Sequence, residues 1–453
     1  MGNGKVKGKT KRKRKGEESG KEKGKSRKRE CMKLGVERGK REGRGMEKER
    51  VISENKEEEE KTIDEKKKTK KTDALIHIQE NVGYNVVDGT GKIAEDEDAR
   101  LQQVNLKGNM PMEDSDFNCV DIYKQLAFQH PLLKNHKIQL YPSFSKNSRK
   151  IRSSYVGKGC PPGKVPVQRI KRNHMRSENF RKASIAKFHQ LSNGYYPGHH
   201  FCTLDTVGNT TYRGAGSFIT LYNPPVQISQ FSMALTWVAN GPPSELNAIA
   251  IGWAVHPSLY NDTFTRVTAY WTTDGYQKTG CYNAMCPGFV QVNREHYLGD
   301  GFEKTSIIGG RQYAMNFTVK QDKSTGHWWL LISRNTSLDH IIGYWPKEIF
   351  SHLANGASMV SYGGTTRASP NGISPPMGSG LFATTKFGRA CSFMRIRIIN
   401  SMYQETDIRH IDMKTNCGTR PNCYTLLYEG YKKFMIPKGH YFNFGGPGGK
   451  CDA

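Results

Sequence analysis

From about residue 198 to the C-terminus, short segments with alternating side chains are separated by Gly, Pro and Asn. Phe231, Met233, Leu235 and Trp237 share one face of such a segment, because successive side chains of a strand point to opposite sides. Many short alternating segments with turn residues between them are typical of antiparallel sandwiches and barrels. The 47 Gly of the chain agree with many tight turns. The pattern predicts an all-β fold, a sandwich of two antiparallel sheets.

The segment LNAIAIGWAV sorts its residues by size. The large residues Ile249, Ile251, Trp253 and Val255 point one way, and the small residues Ala248, Ala250, Gly252 and Ala254 point the other. We expect the large face to pack into the core. The small face forms a shallow floor, which either lets the backbone of another chain approach closely or packs against a neighbouring loop.

A later segment alternates in the same way. Met394, Ile396 and Ile398 are expected on one face of a strand, with Arg395 and Arg397 on the other.

The formal net charge of +27 is unevenly spread. Residues 1–73 hold 28 Lys+Arg against 16 Asp+Glu and almost no aromatic or branched residues, so we expect a disordered basic tail. Its KRKRK run could be a nuclear localisation signal or could contact phosphates. The simpler interpretations are a solvated tail or a wrongly predicted start of the gene. An alternative function is a basic binding protein whose tail engages an acidic polysaccharide or nucleic acid, of which nucleic acid is the less expected partner.

The cysteines favour an oxidising compartment. Nine of the ten lie beyond residue 100, which is many for a cytosolic protein. The candidate disulfide partners, with free buried thiols as the alternative, are Cys281 with Cys286, Cys423 with Cys451, and Cys119 with Cys160. Asn-x-Ser/Thr sequons, which fit a secreted body, lie at Asn209, Asn261, Asn316 and Asn335. Asn316 is the strongest, because it alternates with Met315 and Phe317 and is therefore expected on a solvent-facing side.

No window reaches the 18 or so apolar residues that cross a bilayer, and the first 30 residues contain no apolar signal core. The cysteines and sequons of the body predict a secreted protein, although no signal peptide is visible in the sequence. The alternative location is the nucleus. The His residues show no metal signature, since His199 and His200 are adjacent.

Several long strings resemble the neprosin family. CVDIYKQLAFQHPLLKNHKIQLYPS and CPPGKVPVQRI are similar to its activation-peptide region, and LNAIAIGWAVHPSLYND, YWTTDGYQKTGCYNAMCPGFVQ and HYFNFGGPGG are similar to its catalytic domain. The resemblance covers roughly residues 95–453. It implies three parts, a tail at 1–73, an activation-peptide-like region at 74–195 and a catalytic-domain-like sandwich at 196–453.

The resemblance also implies a chemistry. Neprosins are secreted plant zymogens, and active members cut after proline as glutamic peptidases without metal or organic cofactor. One carboxylate deprotonates the attacking water, and a second group stabilises or protonates the tetrahedral species. The family's NSIEAGW reads NAIAIGW here, placing Ala250 at the first glutamate, and WGGEV reads YGGTT, placing Thr365 at the second.

Loss of both glutamates predicts a pseudoenzyme that retains a groove for a proline-containing peptide or cell-wall protein. The alternative is an active prolyl endopeptidase that uses another carboxylate, and Asp274 is a better candidate than Glu245. The expected cleft residues are Gly252, Trp271, Tyr276, Tyr362, Gly363 and Gly364. Cys202, Cys391 and Cys417 depart from the family pattern and leave room for a free thiol or a further bridge.

Overall fold

The computed structural model describes residues 116–145, 159–169, 198–208, 210–334, 339–408, 412–417, 422–433, 435 and 437–451. The tail at 1–73 and the sequons at Asn209 and Asn335 lie outside these residues, so what the sequence predicts for them stays a prediction. Within the described residues the chain is an antiparallel β protein with a few short helical turns, which confirms the predicted fold class.

The strands follow one another closely along the chain. In chain order they are β1 (Phe117–Asp121), β2 (Lys164–Gln168), β3 (His199–Thr206), β4 (Gly214–Thr220), β5 (Phe231–Asn240), β6 (Asn247–Val255), β7 (Arg266–Thr272), β8 (Cys281–Tyr282), β9 (Val290–Gln291), β10 (Ala314–Gln321), β11 (Trp328–Ser333), β12 (His340–Trp345), β13 (Met359–Arg367), β14 (Ile373–Ser374), β15 (Cys391–Ile399), β16 (Glu405–Asp407), β17 (Met413–Asn416), β18 (Thr425–Lys432), β19 (Gly439–Gly445) and β20 (Gly449–Lys450). Helical turns occur at Leu126–Gln129, Pro131–Leu133, Pro243–Glu245, Pro257–Tyr260, Lys347–Ile349 and Leu353–Asn355.

Two large sheets form the sandwich. The seven-stranded sheet has the order β17-β3-β13-β5-β6-β7-β8, and the nine-stranded sheet has the order β18-β19-β15-β4-β10-β11-β12-β9, with β16 paired to β15. The small pairs β1-β2 and β14-β20 lie outside them. Consecutive strands β5, β6 and β7 are neighbours, so the alternating segments of the sequence meet side by side.

The core lies between the two sheets and matches the alternation in β6. Ile249, Ile251, Trp253 and Val255 belong to the main buried cluster, together with Phe317 and Trp328 of the other sheet. Ala248, Ala250 and Ala254 belong to a second cluster with Phe231, Met233, Leu235 and Trp237 of β5. Both predicted faces of these strands are confirmed, and the small residues of β6 lie on the outer face of the seven-stranded sheet.

Strand β15 departs from simple alternation. Ile396 lies in the main core and Arg397 on the opposite face, as predicted, but Met394 packs with Phe218 in a separate cluster outside the core. The register to β19 shifts between Met394 and Ile396, and Arg395 has a φ of 48°. A β-bulge adds one residue and so exchanges the faces on its two sides. The prediction that Met394 shares a face with Ile396 is therefore wrong.

Residues 126–144 cover part of the outer face of the nine-stranded sheet. Ala127 is buried in a cluster with Trp329, Leu331, Ile341 and Tyr344, against which Phe128, Ile138 and Phe144 also pack. We call this surface the covered face. The covering residues come from the part of the sequence that resembles an activation peptide.

Four disulfides lie within the described residues. The predicted pairs are confirmed as Cys119–Cys160, Cys281–Cys286 and Cys423–Cys451, and a further bridge joins Cys202 to Cys417. Cys391 is a free, buried thiol, and burial raises its pKa to about 12. These bridges fit an extracellular protein. Among the described residues, we find no helix with the length and apolar character of a membrane span.

The strongest predicted glycosylation site is wrong. Asn316 is only 3% exposed, its side-chain amide donates to Ser333 Oγ at 3.0 Å, and its Oδ1 accepts from Arg397 Nη2 at 3.0 Å. The alternation placed it correctly on the face opposite Phe317, but the Arg397 side chain covers that face. Asn261 is exposed just after the Pro257–Tyr260 turn and stays a candidate acceptor.

Candidate functional site

The outer face of the seven-stranded sheet carries both positions at which the family has glutamates, and we call it the site face. One row of paired residues crosses it from β3 to β7, and it consists of Asp205, Ser361, Trp237, Ala250 and Tyr270. Thr365 lies four residues beyond Ser361 on β13, in the row of Met233 and Ala254. Strand spacing and rise place the Cα atoms of Ala250 and Thr365 about 15 Å apart.

Two glycines give the site face its flat centre. Gly252 and Gly363 both lie directly opposite Leu235 on their neighbouring strands. Their φ angles are 159° and 155°, and a Cβ would collide with the carbonyl oxygens of Ala234 and Cys202. A larger residue at either position would distort the sheet between Ala250 and Thr365, so both glycines serve the shape of this floor.

Aromatic rings pack over the Ala250 end of the floor. Tyr270 stacks on Tyr276 with ring centroids 4.9 Å apart and lies 4.4 Å from Tyr282. Ala250 is 0% exposed and Thr365 is 5% exposed, so the floor is closed in this structure. A ligand that contacts Ala250 or Thr365 must therefore displace the groups that now bury them.

Three of the predicted cleft residues lie on the site face and three do not. Gly252, Tyr276 and Gly363 are on it, while Trp271, Tyr362 and Gly364 face the core. Trp271 pairs with Ile249 of the large-residue face, and Tyr362 donates a hydrogen bond across the sandwich to the Arg397 carbonyl at 2.8 Å. These three predictions are wrong. Successive residues of a strand point to opposite faces, so a residue next to a site-face position in the sequence faces the core.

The two acids weighed as replacement catalysts have structural partners. Glu245 lies in the turn before β6, where its carboxylate is 3.0 Å from His352 Nε2. Asp274 accepts hydrogen bonds from Thr279 Oγ1 at 2.6 Å and from the main chain of Lys278 at 2.9 Å. Although burial acts to raise the pKa of Asp274, these bonds lower it overall, so it braces a turn as an ionised group.

Sequence reasoning missed an acid on the site face. Asp205 of β3 is directly opposite Ser361, in the row of Ala250. Burial raises the pKa of the Asp205 carboxyl, and Ser361, Thr203 and Asn416 nearby offset part of this rise. Its Oδ1 is buried without a hydrogen bond of good geometry, while Asn416 Nδ2 is 3.5 Å from Oδ2. The alternation of Phe201, Thr203 and Asp205 indicates only that these residues share one side of a strand, and the pairing of β3 with β13 decides which face that side joins.

Other polar atoms of the site face are also buried without a partner among the described residues. The hydroxyl oxygens of Tyr270 and Thr365 are such atoms, and that of Ser361 lies near the Asp205 carboxyl without a hydrogen bond of good geometry. An unpaired buried hydroxyl costs roughly 1–3 kcal/mol, so native proteins contain few of them and each one calls for a physical explanation.

Basic residues lie at the Thr365 end of the site face. Arg367 ends β13 directly opposite His199 and Phe231. The Phe231 ring is 5.6 Å from His199 and 5.1 Å from His256. Burial and then the charge of Arg367 lower the pKa of His199 to about 4 and that of His256 to about 3, so both imidazoles are neutral at pH 7.

A possible metal cluster lies elsewhere, on the covered face. His136, His327 and Glu348 offer ligand atoms within 4.8 Å of one another. However, Tyr344 Oη accepts from the Gln139 main chain and is hydrogen-bonded to His136 Nε2 at 2.8 Å, with the donor of the second bond set by the imidazole tautomer. His327 Nδ1 accepts from the main chain of Lys347 at 3.2 Å. The lone pair of the neutral His327 imidazole is therefore already in use, so a metal ion that took this ligand would have to break the bond to Lys347.

Comparison with known proteins identifies similar chains. One similar solved structure is that of scytalido-glutamic peptidase bound to a transition state analog inhibitor. Its sequence is 8% identical, the TM-score is 0.29, and the match covers 55% of this chain and 97% of that chain. Another is SCP-B, a member of the eqolisin family of peptidases, in complex with a tripeptide, with a TM-score of 0.28, 7% identity, and coverage of 55% and 98%. These scores and identities are low, so the likeness carries no argument about the chemistry of this chain.

Family models give the assignment. The neprosin activation peptide model matches residues 113–204, and the neprosin model matches residues 228–447. The first match includes the residues that pack on the covered face, and the second includes both Ala250 and Thr365. With both parts present in the family's order, this chain belongs to the neprosin family.

Proposed function

We propose that this protein binds proline-containing peptides on its site face and does not cleave them. The observation that carries the proposal is the pair Ala250 and Thr365, which share this face but offer only a methyl and a hydroxyl group. Neither can take a proton from water near neutral pH. Loss of one catalytic base generally lowers a rate by about 10²- to 10⁴-fold, so loss of both leaves almost no activity.

The polar groups of the site face support binding. The hydroxyls of Tyr270 and Thr365 lack partners among the described residues, and an extended peptide would bring both N–H donors and C=O acceptors. Pairing each of them recovers part of the free energy that the unpaired group now costs. Proline suits such a ligand, because its ring limits the conformational entropy lost on binding and stacks on aromatic side chains such as Tyr270 and Tyr276.

Restoring the glutamates tests the loss of catalysis. The double variant Ala250→Glu, Thr365→Glu should hydrolyse proline-containing peptides at acid pH, where at least one of the carboxyls is protonated. The matched control is Ala250→Gln, Thr365→Gln, which has the same size and no acid. Wild-type protein should match the glutamine control. Wild-type cleavage as fast as that of the glutamate variant would overturn the proposal.

Binding is tested separately with a fluorescein-labelled octapeptide of alternating Ala and Pro. Fluorescence anisotropy should show saturable binding to wild-type protein and weaker binding to Gly363→Val, in which the new side chain meets the Cys202 carbonyl. Absence of saturable binding to the wild type would remove the peptide-binding half of the proposal.

A second candidate function is an active peptidase that uses Asp205. The favouring observation is its raised pKa on the site face, which suits a general acid. Against it, Asp205 lies three strands from β6, about 14 Å from Ala250, and its neighbours in the row are Ser361 and Trp237. This candidate predicts that wild-type protein cleaves after proline and that Asp205→Asn abolishes the cleavage.

A further inference from the structure

The Thr365 end of the site face combines a cation with apolar rings. Arg367 is half-buried, and among the described residues its guanidinium makes no hydrogen bond or ion pair. Its effect on the pKa of His199, His256 and Tyr282 shows that its charge acts on this end of the face. A half-buried guanidinium is poorly screened by water and gains from an anionic partner.

The groups around Arg367 could accommodate an anion, and none of those described in this paragraph is itself an anion. Next along the same face of β13, Thr365 has a hydroxyl that is buried without a partner among the described residues. The nearby imidazoles are neutral at pH 7, and none of the charges that shift the pKa of His199 or His256 belongs to a carboxylate. The His256 ring packs between Phe231 and Tyr282, at 5.1 Å and 5.5 Å, which gives the end of the face an apolar wall.

We propose that Arg367 and Thr365 form a subsite for a carboxylate of the peptide that the site face binds. The planar guanidinium matches a carboxylate with two parallel N–H···O bonds, and the Thr365 hydroxyl donates a third. Phosphate is less suited, because its larger charge calls for a further cation, and Arg266, which lies in the row of Thr365, is already paired with Asp116 and Asp262. The carboxylate belongs either to the C-terminus of the peptide or to an acidic side chain. This subsite rests on the proposed peptide binding.

Three versions of the labelled Ala-Pro octapeptide separate the two sources of the carboxylate. One has a free C-terminus, one is a C-terminal amide, and one is an amide with Glu replacing the last Ala. Wild-type protein at low salt should bind the free acid or the Glu peptide about tenfold more tightly than the plain amide. The preferred acid identifies the source. Equal affinity for all three, with binding present, would overturn the subsite.

Variants locate the effect at this end of the face. Arg367→Gln should abolish the preference, while the basic tail at 1–73 is unchanged and acts as an internal control for nonspecific attraction. Thr365→Glu should abolish it as well, because its own carboxylate takes the guanidinium, whereas Thr365→Gln should keep most of it. Preference that survives both Arg367→Gln and Thr365→Glu would place the carboxylate elsewhere and overturn the proposal.

Small probes decide the subsite even if no peptide binds. N-acetylproline carries the carboxylate and N-acetylprolinamide does not. In NMR spectra of protein labelled with ¹⁵N at histidine, the acid should shift the imidazole signals of His199 and His256 in a saturable way, and the amide should not. The shift should disappear in Arg367→Gln. No shift with the acid overturns the subsite, while a shift without peptide binding overturns only the proposed function.

Discussion

The two outer faces of the sandwich differ in how their polar groups are paired. On the covered face, Asp322 accepts from Ser143 N at 2.6 Å, Ser143 Oγ at 2.5 Å and Gln139 Nε2 at 3.0 Å, and Tyr344 bonds to His136 and Gln139. Trp329 Nε1 is an exception, since it is buried without a partner. On the site face, several hydroxyls and one carboxylate oxygen of described residues have no such partner.

We attribute this contrast to two different roles, a structural interface on the covered face and the proposed binding surface on the site face. Where residues 126–144 meet the nine-stranded sheet, donors and acceptors match one another, as expected when a fixed partner has been built into the fold. The site face keeps groups unpaired at a cost in stability, which a fold retains where something else is to bind. Burial alone would not have distinguished the two faces, because both are closed.

Removing the central acceptor of the covered face should have the largest effect. Asp322 is 0% exposed and holds Ser143, Gln139 and the main chain of Ser324. Asp322→Ala leaves these donors unpaired, so the free energy of unfolding should fall by about 3–4 kcal/mol. Urea denaturation measures this loss, and Asp322→Asn, which keeps an acceptor oxygen, should lose less. A loss under about 1 kcal/mol for the Ala variant would show that these bonds do not hold the cover.

Acid should loosen the covered face next. Burial lowers the pKa of His327 to about 4, and His136 and Lys347 lower it further. Burial also lowers the pKa of His136. Glu348 opposes both shifts. In the unfolded chain both groups take up protons near pH 6.5, before the folded protein does. Their contribution to stability is therefore complete above about pH 6.5 and is lost as the pH falls toward 4.

Hydrogen exchange at pH 7 and pH 4.5 measures this loosening. Protection of residues 126–145 should fall in acid, and the double variant His136→Gln, His327→Gln should reduce the fall by about 2 kcal/mol in opening free energy. An unchanged acid profile in the double variant would assign the effect to other groups, such as His199 and His256.

Much of the fold could be predicted, because alternation fixes which residues share a face once a strand is recognised. The two faces of LNAIAIGWAV, the shared face of Ala250 and Thr365, and three disulfides follow from the sequence. What failed depends on registers that a single strand does not reveal. Trp271 was misplaced because Tyr270 is the residue opposite Ala250.

Side chains from other strands account for the remaining failures. Asn316 is on the predicted face, but Arg397 of β15, 81 residues later, reaches over and buries it. Asp205 joins the site face only through the pairing of β3 with β13. Pairings between distant segments are set by the fold as a whole, so local pattern could not supply them.

A matched pair of Tyr→Phe variants should sharpen the contrast between the faces. Tyr344→Phe removes a hydroxyl that accepts from Gln139 and is also hydrogen-bonded to His136, so it should cost about 1–2 kcal/mol of unfolding free energy. Tyr270→Phe removes a hydroxyl that lacks a partner, so it should be neutral or slightly stabilising. Thermal and urea unfolding measure both. Equal losses in the two variants would mean that the Tyr270 hydroxyl is paired in solution.

The smallest effect is expected at Thr365, and it provides the most direct test of the contrast. Thr365→Val keeps the shape of the side chain and removes only a hydroxyl that has no partner among the described residues, so the free energy of unfolding should change by less than about 0.5 kcal/mol. Ser143→Ala on the covered face removes a hydroxyl bonded to Asp322 and should cost about 1 kcal/mol or more. If Thr365→Val cost as much as Ser143→Ala, the hydroxyl would be serving the fold. The site face would then be an ordinary interface, without groups kept for a ligand.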